Sequence, residues 1–108
     1  MTPVRYHQAA EDELLNEIGY LELRVPGLGR RFYAEVRKAE SLIAEFPESA
    51  QEVLPGIRKY TLRKFPFLLI YSIEKDGLLI LAVAHYSHRP RYWVRRVSQT
   101  KGEPQAGD

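Results

Sequence analysis

Residues 57–85 read IRKYTLRKFPFLLIYSIEKDGLLILAVAH, and the hydrophobic rhythm of this stretch decides the fold. Tyr60 and Leu62 alternate with Lys59, Thr61 and Arg63, the two-residue period of a strand with one exposed face. Phe65-Pro66 interrupts the run, because proline has no N–H to give to a ladder. Phe67–Glu74 and Leu78–His85 are apolar almost throughout, as strands inside a sheet are. Lys75-Asp76-Gly77 lies between them, and Asp-Gly between two such runs is a strong hairpin signal. Three strands joined by short turns predict an antiparallel meander.

Upstream the period is 3.6. Ala10, Leu14, Ile18 and Leu21 share one face of a helix running from Gln8 to Arg24, and the acidic Glu11, Asp12 and Glu13 crowd its first turn, where the helix dipole favours them. Val25-Pro26-Gly27 stops it. Phe32, Val36, Ala39, Ile43 and Phe46 then recur at helical spacing from about Leu28 to Phe46, with charged residues between them, and Pro47 ends the pattern. Two amphipathic helices joined by so short a turn predict an antiparallel hairpin. Val4 and Tyr6 flank Arg5 in a short first strand, and Glu48–Gly56 reads as a polar connection. Pro90 suits the first position of a short helix reaching Val97, and Thr100–Asp108 has no periodicity. The predicted fold is α+β: an N-terminal helical hairpin packed on a small antiparallel β-sheet, in the order β-α-α-β-β-β with a short C-terminal helix. Residues 1–97 are expected to form a single domain and residues 98–108 a mobile tail.

The chain has 108 residues, enough for one hydrophobic core and too few for two. It contains no cysteine, which removes disulfides, thiol nucleophiles and Cys-based zinc sites and suits a reducing cytoplasm. No N-terminal apolar stretch reads as a secretory signal, and the apolar run Leu78–Ala84 is far short of a membrane span, so a soluble cytoplasmic protein without membrane contact is expected. The net charge of +2 hides an asymmetry. Residues 1–57 carry six Lys/Arg against ten Asp/Glu, a net of −4, whereas residues 58–108 carry ten against four, a net of +6. A basic half points to an anionic partner, nucleic acid or an acidic protein segment, although solubilising charge would look the same. Arg58, Lys59, Arg63 and Lys64 form one cluster, and Arg89, Arg91, Arg95 and Arg96 another. In a meander the two are expected to converge on the side of the sheet away from the helices, as a target-binding surface.

Several of these residues, in this order, resemble the RelE/ParE superfamily of toxins. They are Ala10-Glu11-Asp12-Glu13-Leu14, Gly29-Arg30-Arg31-Phe32 and Phe46-Pro47-Glu48, and, more specifically, Leu62–Phe67, Ile70-Tyr71, Ala82-Val83-Ala84-His85 and Arg89-Pro90-Arg91-Tyr92-Trp93. The likeness spans roughly residues 4–96, closer to the ParE-like branch. It implies growth inhibition, plasmid stabilisation and a cognate antitoxin that binds the toxin in a hetero-oligomer. ParE-like members poison DNA gyrase, and RelE-like members cleave mRNA in the ribosomal A site. The basic residues of the cleaving branch fall near Lys59 and Arg63 and at Arg89, and its terminal Tyr falls at Tyr92. Its middle-strand Arg falls at Leu68, and the missing guanidinium favours the ParE-like branch.

RNA cleavage without a metal needs a base, an acid and cations around the phosphorane. If the chain were an RNase, the catalytic candidates would be Arg63, His85, His88, Arg89 and Tyr92. His85 ends an apolar strand on the same side as Leu79, Leu81 and Val83, where a hydrogen-bonded, partly buried imidazole is the ordinary role. His88 falls in a polar turn. Two histidines three apart without nearby carboxylates predict no metal site, and no cofactor is implied. Trp93 is expected to fold back over the core. Leu15, Leu23, Leu28 and Leu42 lie off the main helical stripes and are the expected antitoxin contacts. Three functions remain open from the residues: a ParE-like binding inhibitor, a RelE-like endoribonuclease and a non-toxic antitoxin-binding member.

Overall fold

The structure, a computed structural model, describes residues 2–100. Its elements are β1 (Val4–Tyr6), α1 (Gln8–Arg24), α2 (Leu28–Glu45), β2 (Gln51–Leu54), β3 (Ile57–Thr61), β4 (Phe67–Glu74), β5 (Gly77–His85) and α3 (Arg95–Thr100). The α+β class, the helical hairpin and the meander β3-β4-β5 stand as the residue pattern predicts. The sheet has five strands in the order β1-β5-β4-β3-β2.

Three features of the element layout differ from the expectation. β2 occupies the stretch read as a connection, pairing antiparallel with β3. Gln51-Glu52-Val53-Leu54 is too short to show a period, and its first two side chains are exposed at the sheet edge. The sheet is mixed rather than antiparallel, because β1 runs parallel to β5, with Val4 opposite Leu78 and Tyr6 opposite Ile80. The C-terminal helix begins five residues late: Pro90–Val94 form turns, and α3 runs on to Thr100, into the stretch read as tail. The rest of that stretch, 101–108, lies outside the described residues.

The two long helices begin where a side chain meets their unpaired N–H groups. At α1 the N-cap is His7, whose Nδ1 accepts from the Ala9 N–H at 3.0 Å. At α2 the N-cap is Gly27, held at φ 88°, a left-handed conformation that glycine adopts without strain. Glycine has no side chain to cap with, and Glu22 of α1 does it instead, its carboxylate accepting from the N–H groups of Gly27 (2.7 Å), Gly29 (3.0 Å) and Arg30 (3.3 Å). Those bonds, that of Gly27 foremost, hold the Glu22 carboxyl below its ordinary pKa of 4.5.

The core lies between the helices and one face of the sheet. Ala10, Leu14, Phe32, Val36, Ala39 and Ile43 meet Phe67, Leu69, Tyr71, Leu78, Ile80 and Val83, with Ile18 and Leu21 packed at the margin. Phe32 anchors it, with ring centroids 4.9 Å from Phe67 and 5.2 Å from Phe65, worth roughly 0.5–1.5 kcal/mol per ring pair beyond the area buried. Phe46, read as the last core position of α2, is instead 54% exposed. The helix has ended before it, and its backbone at φ −130°, ψ 66° turns the side chain out of the stripe.

The other face of the sheet carries a second, smaller cluster of Ile57, Ile70, Leu79, Leu81, Ala82 and Trp93. Trp93 folds back over it as expected, 4% exposed. A bulge divides β5 between the two faces: Ile70 pairs with Ala82 and Tyr71 with Ile80, so Leu81 is an extra residue. Before the bulge the even positions Leu78 and Ile80 face the helices, and after it the odd position Val83 does. The expectation that His85 shares a side with Leu79 and Leu81 is therefore corrected. The half-buried imidazole packs edge-on against Phe67 of the helix-side core, ring centroids 5.0 Å apart, at the end of the strand where the two faces meet.

Candidate functional site: a basic cleft and its carboxylate latch

On the sheet face away from the helices, a cleft of about 430 Å³ opens between β2, the ends of β4 and β5, and the segment after β5. Leu68, Ile70, Ala84 and Trp93 give it apolar walls, Lys59, Arg89 and Arg91 bring cations, and His85, His88 and Tyr92 also line it. Gln51 and Glu52 close one side, which no reading without β2 could anticipate. An apolar floor with a cationic rim suits an anionic partner with planar or aliphatic groups to bury.

The two sequence clusters converge only in part. Lys59 reaches the cleft because it pairs with Ile70, whose side chain faces the second cluster. Arg58, one residue earlier, pairs with Tyr71 and belongs to the opposite face. There its Nη1 donates to the carbonyls of Glu48 (2.9 Å) and Ala50 (2.7 Å), and it ties down the connection after α2. Lys64 forms an ion pair with Glu35 of α2 at 3.7 Å. Arg63 is exposed on the turn between β3 and β4 and does not line the cleft. Arg95 is exposed at the start of α3.

Arg96 is half-buried, and its partner is Glu13 of α1. Nη1 meets Oε1 at 3.0 Å and Nη2 meets Oε2 at 2.9 Å, a two-pronged ion pair. The same carboxylate accepts from the Tyr92 hydroxyl at 2.8 Å and from the Val83 N–H at 3.0 Å. Arg96 also donates to the Leu81 carbonyl at 2.8 Å and lies over the Tyr92 ring, 5.1 Å from its centroid. Burial and, behind it, the hydrogen bond to Glu13 push the Tyr92 phenol well above its ordinary pKa of 10.0. Burial works against the charge of Arg96, but the bonds and charge of Glu13 outweigh it and raise its pKa further.

Both cleft histidines are held by their Nδ1 atoms. That of His88 accepts from the His85 N–H at 3.1 Å, and that of His85 accepts from the Ser87 N–H at 2.9 Å. An accepting Nδ1 leaves the ring proton of a neutral imidazole on Nε2. His88 stacks on Tyr92, centroids 4.6 Å apart. Arg63, His85, His88, Arg89 and Tyr92 thus do not gather as one constellation, since Arg63 lies apart and Tyr92 turns its proton to Glu13. Among the described residues no group of three His, Asp or Glu is placed to hold a metal ion, and no helix is long and apolar enough to cross a membrane.

Glu13 is the residue that sequence reasoning missed. Its carboxyl was assigned to the helix dipole, yet it sits beside the core positions Ala10 and Leu14. That placement, with an excess of arginine at the other end of the chain, was the available signal. Of the residues expected under an antitoxin, Leu15 and Leu42 are exposed, Leu23 is 89% exposed, and Leu28 is half-buried at the start of α2.

Residues 4–90 match the family model described as the ParE toxin of the type II toxin–antitoxin system, parDE. Among solved structures the fold is similar to a chain of the chromosomal ParDE toxin–antitoxin system from P. aeruginosa, with a TM-score of 0.67 and 15% identity over 79% of this chain and 96% of that one. It is also similar to the isolated E. coli RelE toxin, with a TM-score of 0.57 and 17% identity over 92% of this chain and 98% of that one. No curated protein matches the chain.

Proposed function

Because the chain belongs to the ParE toxin family of type II toxin–antitoxin systems, we propose that it arrests growth in the cytoplasm by binding a protein target, DNA gyrase, and that a cognate antitoxin neutralises it. The observation that carries the choice of binding over RNA cleavage is the commitment of Tyr92. A general acid must aim its proton at the leaving oxygen, and this hydroxyl donates to Glu13 instead. Leu68, where the cleaving branch has an arginine, lines the cleft with hydrocarbon and adds no phosphate contact. Lys59, Arg89 and Arg91 remain as the cations that would meet acidic groups of a protein target. Leu15, Leu23, Leu28 and Leu42 are the surface offered to an antitoxin helix, and residues 1–97 act as one toxin domain.

The test is induction of the chain in cells, followed by two assays. Inhibited gyrase supercoiling with intact mRNA is expected. Cuts at A-site codons with normal supercoiling would replace the proposal by the ribonuclease reading, which the basic cleft beside His88 favours. Normal growth would leave an antitoxin-binding member without toxicity.

A further inference from the structure

The outer side of β5 is closed in two different ways. β1 pairs with it at Leu78, Leu79 and Ile80. Beyond them the His7 N–H meets the Ile80 carbonyl, and the chain turns into α1. From Leu81 onward the strand's neighbours on this side are side chains. Arg96 takes the Leu81 carbonyl, Glu13 the Val83 N–H and His88 the His85 N–H. Two of those three caps belong to the segment 86–100, and Glu13 grips that segment through Arg96 and Tyr92. Tyr92 in turn carries the stacked ring of His88, and Arg89 and Arg91 lie between those two rings in sequence.

We propose that Glu13 is the positioning residue of the basic cleft: from the helical side of the molecule, outside the cleft lining, it holds the 86–100 arm against β5 and so fixes Arg89 and Arg91 for the target. This rests on the reading that the cleft engages the target. The physical argument is the number of roles that meet in one carboxylate. Turning it away breaks a two-pronged ion pair, frees the Tyr92 hydroxyl and uncaps the Val83 N–H together. Arg91 has φ 62°, a left-handed backbone unfavourable for a residue with a side chain, so the arm depends on such tethers to keep that shape.

The test compares Glu13→Ala, Glu13→Gln and the charge exchange Glu13→Arg with Arg96→Glu against Arg89→Ala with Arg91→Ala. Amide hydrogen exchange is read at Val83 and His85, with interior amides of β4 reporting global opening, and growth arrest is read on induction. Glu13→Ala is expected to speed exchange at Val83 and His85 at least tenfold relative to β4 and to reduce arrest at least tenfold, as the cleft variant does. Glu13→Gln keeps the size of the side chain and carries the test if the alanine variant fails to fold. The charge exchange is expected to restore both readouts in part. Unchanged relative exchange at Val83 and His85 overturns the latch. Faster exchange with full arrest overturns the link from latch to cleft. Arrest that survives loss of Arg89 and Arg91, or a wild-type chain that never arrests growth, removes the reading beneath the proposal and the proposal with it.

Discussion

The carbonyl oxygen of Ile18 closes directly onto Gly29, where a methyl group would sit 2.3 Å from it. This contact sets how closely α1 and α2 cross, and the obstacle is backbone rather than a flexible side-chain end. Helix propensity alone would reward Gly29→Ala by about 1 kcal/mol, but overpacking of this kind costs roughly 1–3 kcal/mol or more. Sterics win, and Gly29→Ala is expected to lower the denaturation midpoint. Gly19→Ala, also within a helix but with open space around it, is expected to raise stability by about 0.5–1 kcal/mol. Opposite signs for the same substitution in urea melts are the signature to look for.

Deleting Leu81 removes the extra residue of β5 and leaves a regular ladder, with Tyr71 still opposite Ile80 and Ile70 still opposite Ala82. Ile80, Ala82 and Val83 then alternate without a break, so Val83 keeps its face and its bond to Glu13. What is lost is a fully buried leucine side chain and the carbonyl that accepts from Arg96. The expected cost is about 2–5 kcal/mol, with cooperative unfolding and the core position of Val83 retained. A deletion variant in which Val83 became exposed would contradict the assignment of the bulge.

Glu22 caps α2 with a carboxylate whose pKa is lowered in the folded state. A depressed carboxyl adds stability that is fully present above the unfolded value of 4.5 and is lost as the pH falls through the folded one. Glu22→Gln is therefore expected to lower the urea midpoint at pH 7 and to converge with the wild type in acid, below the folded pKa. A difference that stayed constant from pH 7 to that limit would show that the charge is not what caps the helix.

Arg58 and Lys59 are neighbours with opposite duties. Arg58→Ala strips the Glu48 and Ala50 carbonyls of their donor and is expected to cost about 1–3 kcal/mol. Lys59→Ala is expected to change stability by less than about 0.5 kcal/mol while weakening growth arrest. Calorimetry paired with an induction assay separates the two, and equal effects in both assays would undo the division of faces.

Tyr92→Phe removes the hydroxyl from Glu13 but leaves Arg96 on the carboxylate. A loss of about 1 kcal/mol in stability is expected, with growth arrest retained. Arrest that vanished while the melting curve held would instead give the phenol a role in chemistry.

Much of this fold is written in local periodicity. The starts of α1 and α2, the hairpin turn and the stripe of Phe32, Val36, Ala39 and Ile43 follow from spacing, since a helix or strand must bury one face. β2 was illegible because four residues at a sheet edge bury too little to show a pattern. The side of His85 was misread because alternation assumes an unbroken ladder, and one unpaired residue shifts every side chain after it.

The candidate site was legible in its ingredients and not in its assembly. Composition alone determined that cations gather in the second half of the chain and that cysteine chemistry is absent. Tertiary structure alone decided which of them remain free: Arg58 and Arg96 are consumed by backbone carbonyls and a carboxylate, whereas Lys59, Arg89 and Arg91 reach the cleft. The reason is distance along the chain. A periodic pattern reports on neighbours a few residues apart, while Glu13 meets Arg96 across 83 positions, and such a meeting exists only once the sheet has brought the two ends together.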